Sequence, residues 1–235
     1  LDVPRWDDLL ARIGTRPPAV LDVGCGTGRF LQHAARRLPG ARLAGIELDA
    51  ERAGQAAAAN PGAHIAQGDA LAVARALEGG FGLVTLWDVL EHVPDPAGLL
   101  QALAARLAPG GCLFVQTIHE ASLLPGLGRL AYTLTGGRLR GPLRRTHEPH
   151  HVTFFTRAGL QSMADAAGLG IRTLWFDRLA FGRMDGALPA RLAADLLQRL
   201  EATWGNGLFV NVLLEARGPA APGPGGDPPA GRPRP

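Results

Sequence analysis

The 235-residue sequence predicts an α/β domain built around a parallel sheet. Three observations point there. Short apolar runs alternate with longer segments of helical character, the pattern of strands joined by crossover helices. A glycine-rich loop leads from the first apolar run straight into a helix. Pro-Gly and Gly-Gly pairs close the segments where a crossover unit should turn.

The elements follow in order. Ala19 to Val23 (AVLDV) is a short apolar strand running into a loop from Gly24 to Gly28. A helix follows from Arg29 to about Leu38, stopped by Pro39-Gly40. Arg42 to Leu48 reads as a second strand, and the Ala-rich helix after it ends at Asn60-Pro61-Gly62. Ala63 to Gln67 and Phe81 to Trp87 are the third and fourth strands. Asp95 caps a helix whose first residue is Pro96, and Pro109-Gly110-Gly111 closes it. Cys112 to Thr117 is the fifth strand. Residues 121–147 form a Gly- and Arg-rich insert. Thr156 then caps a helix that Gly168 ends. Ile171 to Phe176 and Leu208 to Glu215 are late strands, with a helix around Leu188 to Ala202 between them. The expected domain spans 1–217. The tail 218–235 holds seven prolines and little apolar bulk, and is expected to be disordered.

Composition narrows the function classes. Hydrophobic residues make up 46% and charged residues 19%, enough for one full core. No apolar run approaches the ~20 residues of a membrane helix, and no secretory signal opens the chain. The chain begins without Met, so its N-terminus is expected to lie upstream. Two cysteines, Cys25 and Cys112, make neither a disulfide framework nor a paired metal motif, and a cytoplasmic location is expected. All 24 basic residues are Arg, yet the net charge is only +3. A surplus this small and scattered reads as GC-rich codon usage, and no nucleic-acid partner is expected.

The most informative stretch is Val20-Leu21-Asp22-Val23-Gly24-Cys25-Gly26-Thr27-Gly28. Strand, glycine turn and helix N-terminus let backbone approach a ligand closely. A dinucleotide fingerprint needs G-x-G-x-x-G, and its third glycine would fall at position 29, which is Arg. Here the spacing is G-x-G-x-G. Asp22 precedes it, a carboxylate suited to a ligand carrying ammonium and sulfonium charge rather than a pyrophosphate. Glu47 falls where the ribose-reading acid of such a unit belongs; the alternative is a solvated strand-end acid. Asp69, with Ala70 beside it, either accepts from an adenine amino group or caps a helix.

On these motifs the chain resembles the class I S-adenosylmethionine-dependent methyltransferases, in the branch that includes the ubiquinone-biosynthesis O-methyltransferases. Leu21-Asp22-Val23-Gly24-Cys25-Gly26-Thr27-Gly28 is similar to the family's first motif, and Trp87 to Pro96 (WDVLEHVPDP) to its segment after strand four. Leu107-Ala108-Pro109-Gly110-Gly111 resembles the turn before strand five, with Ala108 where a basic residue is usual. His150 to Thr156 and Ala167-Gly168-Leu169 resemble a late segment of the branch. The resemblance covers about residues 15 to 177. It implies a Rossmann-like, seven-stranded, mostly parallel sheet with an antiparallel last strand and helices on both faces. It also implies a cofactor, S-adenosyl-L-methionine, in contact with Asp22, Gly24, Glu47, Asp69 and Asp88, and the neighbouring Cys25, Gly26, Gly28, Leu48 and Ala70 complete the expected cofactor-binding set.

Methyl transfer is an in-line displacement, and much of its rate comes from holding the nucleophile in line. A hydroxyl acceptor still benefits from a base near neutral pKa, so His92, His119 and His151 are the catalytic candidates, with His150 close by. Each has a plain alternative as a loop anchor. Asp88-x-x-Glu91-His92 resembles a divalent-metal triad proposed in the ubiquinone branch, but its ligand types are not selective. His147-x-x-His150-His151 lacks a nearby cysteine for zinc, and no metal is expected. The insert carries Arg129, Arg138, Arg140, Arg144 and Arg145, no acid, and a set of leucines. It reads either as a lid selecting an anionic or amphipathic small-molecule acceptor, with peripheral membrane contact, or as a surface loop made basic by composition. The competing functions are a nicotinamide-dependent dehydrogenase and a cofactor-binding protein without catalysis.

Overall fold

A computed structural model describes residues 3–140, 150–179, 184 and 188–217. Seven strands form one sheet: β1 (Ala19–Val23), β2 (Arg42–Glu47), β3 (Ala63–Gln67), β4 (Phe81–Trp87), β5 (Leu107–Ile118), β6 (Leu169–Asp177) and β7 (Phe209–Ala216). Their spatial order is β3-β2-β1-β4-β5-β7-β6, and β7 alone runs antiparallel to its neighbours. The helices among the described residues are α1 (Val3–Ile13), α2 (Arg29–Arg37), α3 (Ala50–Ala59), α4 (Ala70–Ala76), α5 (Pro96–Ala104), α6 (Leu123–Leu134), α7 (Arg157–Ala166) and α8 (Leu188–Thr203). The order reverses at β1/β4, where an open α/β sheet leaves its ligand crevice.

Side chains alternate across the strands, and each face has its own core. Leu21, Val23, Leu86, Val115 and Val212 pack on one side with Leu99 and Leu103 of α5 and Leu160 of α7. Val20, Leu83, Phe114 and Leu213 pack on the other with Trp6 and Leu9 of α1 and Phe30 and Leu31 of α2. The expected caps form. Asp95 accepts from the Gly98 N–H at 2.8 Å, and Thr156 accepts from the Gly159 N–H at 3.1 Å.

Four elements go beyond the sequence reading. Helix α1 buries Trp6, Leu9 and Ile13, a helical spacing. Its Arg5 donates to the Arg178 carbonyl at 2.7 Å and its Arg12 lies 4.3 Å from the centre of the Trp175 ring. Helix α4 is short and set by the Asp69 cap. The helix from Pro96 ends at Ala104, not at Pro109-Gly110-Gly111. The chain instead joins the sheet at Leu107 opposite Phe81, then bulges before Cys112 meets Leu83. That pairing satisfies backbone groups that a longer helix would have carried. The first half of the insert is α6. The tail 218–235 and residues 141–147 of the insert lie outside the described residues.

Leu9 is fully buried between α2 and the sheet. Leu9→Ala is expected to lower the unfolding free energy by about 3 kcal/mol in urea titrations. A loss below about 1 kcal/mol would show that α1 does not form part of the core.

Candidate active site

The G-x-G-x-G loop owes its shape to alternation: Gly24, Gly26 and Gly28 have φ of +68°, +56° and +76°, a region other residues rarely occupy. A Cβ on Gly24 would lie 2.5 Å from Val89 Cγ2, and one on Gly28 would lie 2.3 Å from Asn60 Nδ2. Around Gly26 no such neighbour stands within 4 Å, so its face is open. The loop is sewn to β2 by Cys25 N–H donating to the Ile46 carbonyl at 3.0 Å and Gly26 N–H donating to Glu47 Oε2 at 2.8 Å.

Beneath the loop a cleft of about 270 Å³ is lined by Trp6, Asp22, Gly24, Cys25, Gly26, Thr27, Arg29, Phe30, Trp87, Asp88 and Gln116. The structure thus brings five of the expected cofactor residues to one surface. Asp22 is 2% exposed. Thr85 Oγ donates to it at 2.7 Å, and no cation pairs with it among the described residues. Burial pushes its carboxyl up to about 7; the Thr85 bond opposes this and the Glu47 charge adds to it. Burial likewise pushes the Cys25 thiol up to about 12, which keeps it inert. Asp88 has φ 53°, the only positive value at a non-glycine residue among those described. Such strain collects at functional positions.

Glu47 is buried at the end of β2 rather than solvated. Its Oε2 accepts from Gly26 and its Oε1 from the Asp49 N–H at 3.0 Å, leaving further lone pairs on both oxygens. Gly28 serves as the N-cap of α2 and does not line the cleft. Leu48, Asp69 and Ala70 lie outside the lining too, at neighbouring strand ends. Leu48 is 67% exposed beside the Gln67 amide. Asp69 Oδ1 accepts from the Ala72 N–H at 2.9 Å, so the cap role is formed and the other oxygen is left over.

Two residues beyond Asp88, a one-turn 3-10 helix (Leu90–His92) starts a second cluster. Ligand atoms of Glu91, His92 and His151 lie within 4.8 Å of one another, the only such metal-competent trio among the described residues. His151 takes the place that the sequence reading gave to Asp88, because the backbone turn sends Asp88 to the cleft. Thr117 Oγ donates to Glu91 Oε2 at 2.9 Å, and burial raises the Glu91 carboxyl. The late segment is stitched on through the Glu91 carbonyl, which accepts from the Val152 N–H at 2.8 Å. His92 Nδ1 meets the His150 carbonyl at 3.1 Å. That contact requires Nδ1 to carry the proton, so the neutral ring presents Nε2 as a base. The His92 and His151 rings meet edge-on, with centroids 4.8 Å apart and planes at 63°. His147 lies outside the described residues.

His119 stands apart, buried after β5 against Phe176. Burial lowers its pKa; the Asn206 amide, the Glu201 charge and the Gly207 backbone oppose that shift. Residues the sequence reading missed are Trp6, Thr85, Trp87, Gln116 and Thr117. Thr85, Gln116 and Thr117 stood out as polar residues inside apolar strands, a signal for a buried polar role. A larger groove of about 510 Å³ lies between the ends of α2 and α3, but no acid or imidazole lines it, and it sits away from the strand ends that carry ligands.

This sheet order, with its acid-flanked glycine loop at the switch point, defines a Rossmann-like methyltransferase. The family model described as a methyltransferase domain matches residues 3–174, and the chain belongs to that family, whose methyl donor is S-adenosyl-L-methionine. A ubiquinone biosynthesis O-methyltransferase from Aeromonas salmonicida is 36% identical over 162 residues, which are 66% of this chain and 64% of the relative. One from Psychrobacter arcticus is 36% identical over 168 residues, 67% of this chain and 61% of its own. The chain therefore spans less than two thirds of the length of these relatives. Among solved structures, the plantazolicin methyltransferase BamL, in complex with a triazolic desmethylPZN analog and SAH, superposes with a TM-score of 0.62 at 14% identity, covering 91% of this chain and 83% of BamL. The family removes the dehydrogenase alternative.

Asp22 gives a pH test. Its native pKa exceeds the unfolded value of 3.8, so its contribution to stability is full below that value and is lost as pH rises through about 7. A cationic ligand reverses the preference and expels the proton. Affinity for S-adenosylmethionine should thus rise several-fold, up to about tenfold per pH unit, from about pH 6 to about pH 7.5. Calorimetry should show this rise flattened in Asp22→Asn; an unchanged slope in that variant would place the titration elsewhere.

Proposed function

We propose that the protein transfers a methyl group from S-adenosylmethionine to a hydroxyl oxygen of a small-molecule acceptor. The observation that carries this reading is the pair of buried carboxylates, Asp22 and Glu47, that meet the open glycine loop with no cation paired to them among the described residues. A ligand with ammonium, sulfonium and ribose hydroxyls fits that donor set. When bound, the cofactor supplies an electrophilic methyl carbon on sulfur. Asp22 orients its cationic end, with Gly24, Cys25 and Gly26 supplying close backbone. The remaining lone pairs of Glu47 take the ribose hydroxyls. Leu48, Asp69 and Ala70 would hold the adenine end, and Asp88 and Gln116 would border the methionine side. Gly28 contributes by setting the start of α2.

The acceptor sits beyond Asp88, over the Glu91, His92 and His151 cluster. His92 Nε2 takes the hydroxyl proton in this reading, with His151 holding its ring. His119, buried against Phe176 beyond β5, remains a candidate on the acceptor side in this reading. The names of the curated relatives support oxygen as the methylated atom. We place the whole as one domain over 1–217, in the cytoplasm, with 121–147 as a lid. The excess of arginine and leucine in that segment supports an anionic or amphipathic acceptor reached at a membrane surface. No helix among the described residues is long and apolar enough to cross a membrane.

Calorimetric titration with S-adenosylhomocysteine tests the cofactor half, with Glu47→Ala expected to weaken binding about tenfold or more, the cost of a charge-assisted bond. Transfer of labelled methyl groups to phenol and catechol acceptors tests the other half. His92→Ala should lower kcat by about 100-fold or more with cofactor affinity retained. Equal turnover by this variant would remove His92 from the chemistry.

A further inference from the structure

Helix α8 is turned inside out. It buries Gln198 and Glu201, 0% and 1% exposed, while Leu188, Leu192, Leu196 and Leu200 are 58%, 54%, 58% and 47% exposed. At about 100° per residue the four leucines cover a sector of about 120°, opposite the buried polar pair. The polar pair holds the helix in this orientation. Glu201 accepts from Ser122 Oγ at 2.9 Å, from the Leu123 N–H at 2.9 Å and from Asn206 Nδ2 at 2.8 Å. Gln198 Oε1 accepts from the Leu179 N–H at 2.7 Å. Turning the leucines inward would strip Glu201 and Gln198 of four backbone and side-chain donors, those of Ser122, Leu123, Asn206 and Leu179. Trp204, 73% exposed, follows at the end of the helix. The neighbouring α6 repeats the pattern, burying Pro125 and Gly128 and exposing Leu127, Leu130 and Leu134.

We propose that α8, together with α6, docks this apolar face onto an anionic lipid bilayer, lying in the interface without crossing it. Charge selects this occupant. Helix α6 has no acid, and the acids of α8 are spent: Asp195 is bonded to Arg199 and Glu201 is buried. Arg138 and Arg140, just past α6, are exposed and have no carboxylate partner among the described residues. An apolar stripe flanked by Trp and Arg suits the headgroup boundary. A second copy would be held by a self-complementary face, and pairing this one would set arginine against arginine, because Asp195, the acid beside the stripe, is already bonded to Arg199. The inference rests on the reading of 121–147 as a membrane-facing lid and adds α8, which that reading left as an ordinary helix.

The test is sedimentation of the full chain with vesicles of phosphatidylcholine alone and of phosphatidylcholine mixed with phosphatidylglycerol. The wild type should bind the mixed vesicles. Leu192→Ser with Leu196→Ser should weaken that binding about tenfold or more, as removal of two inserted leucines implies, with S-adenosylhomocysteine affinity unchanged as a check on folding. Brominated lipid should quench emission that is absent from Trp204→Phe. If the leucine variant binds vesicles like wild type while Arg138→Ala with Arg140→Ala does not, the lid reading stands and the role of α8 is overturned. If the wild type ignores vesicles and forms a dimer that the leucine variant dissolves, the occupant is a second copy. If it ignores vesicles and is a monomer, both readings fall.

Discussion

Two buried acids, Asp22 and Glu47, with no cation paired to either among the described residues, organise this molecule. Asp22 sits inside an otherwise apolar β1, and Glu47 ends the neighbouring strand, with Val23 and Ile46 in register beside them. Burying carboxylates is unfavourable unless hydrogen bonds or charge compensate, and Thr85, Gly26 and Asp49 supply only part of that. The rest of the site follows from the need to approach these two groups. The glycine loop brings backbone N–H groups over them, Gly24 and Gly28 leave room for Val89 and Asn60, and α1 closes the side with Trp6.

The acceptor half is built from different material. It hangs on the short 3-10 turn after β4, where the strained Asp88 splits the chain's polar residues between two clusters. Asp88 goes to the cofactor cleft, and Glu91 and His92 go to the other side. The late segment then brings His151 to them through backbone bonds to the Glu91 carbonyl. A single turn of chain thus couples the two halves, so small shifts there move both.

The outer layer around α6 and α8 is organised by another buried acid. Glu201 gathers the first turn of α6, Ser122 and Asn206, and Asn206 faces His119. The same contacts that steady this end of the sheet hold the α8 leucines outward. Surface apolarity here follows from how the core satisfies its polar groups.

Much was legible in the chain itself. The strand–helix alternation, the G-x-G-x-G spacing with Asp22 and Glu47, and the Asp95 and Thr156 caps are local: short-range patterns whose physical cause lies within a few residues. The antiparallel direction of β7 was implied by the family resemblance alone and not by alternation or spacing. What only the tertiary structure decided is non-local. Helix α1 had a readable Trp6, Leu9, Ile13 spacing, but its place over the cleft depends on Arg5 and Arg12 meeting β6 and its edge. His151, not Asp88, joins Glu91 and His92 because one left-handed residue redirects a side chain. Which face of α8 is buried depended on Glu201 finding donors about 80 residues earlier. Periodicity marks an apolar face; only the partners of the polar face determine whether that apolar face turns inward.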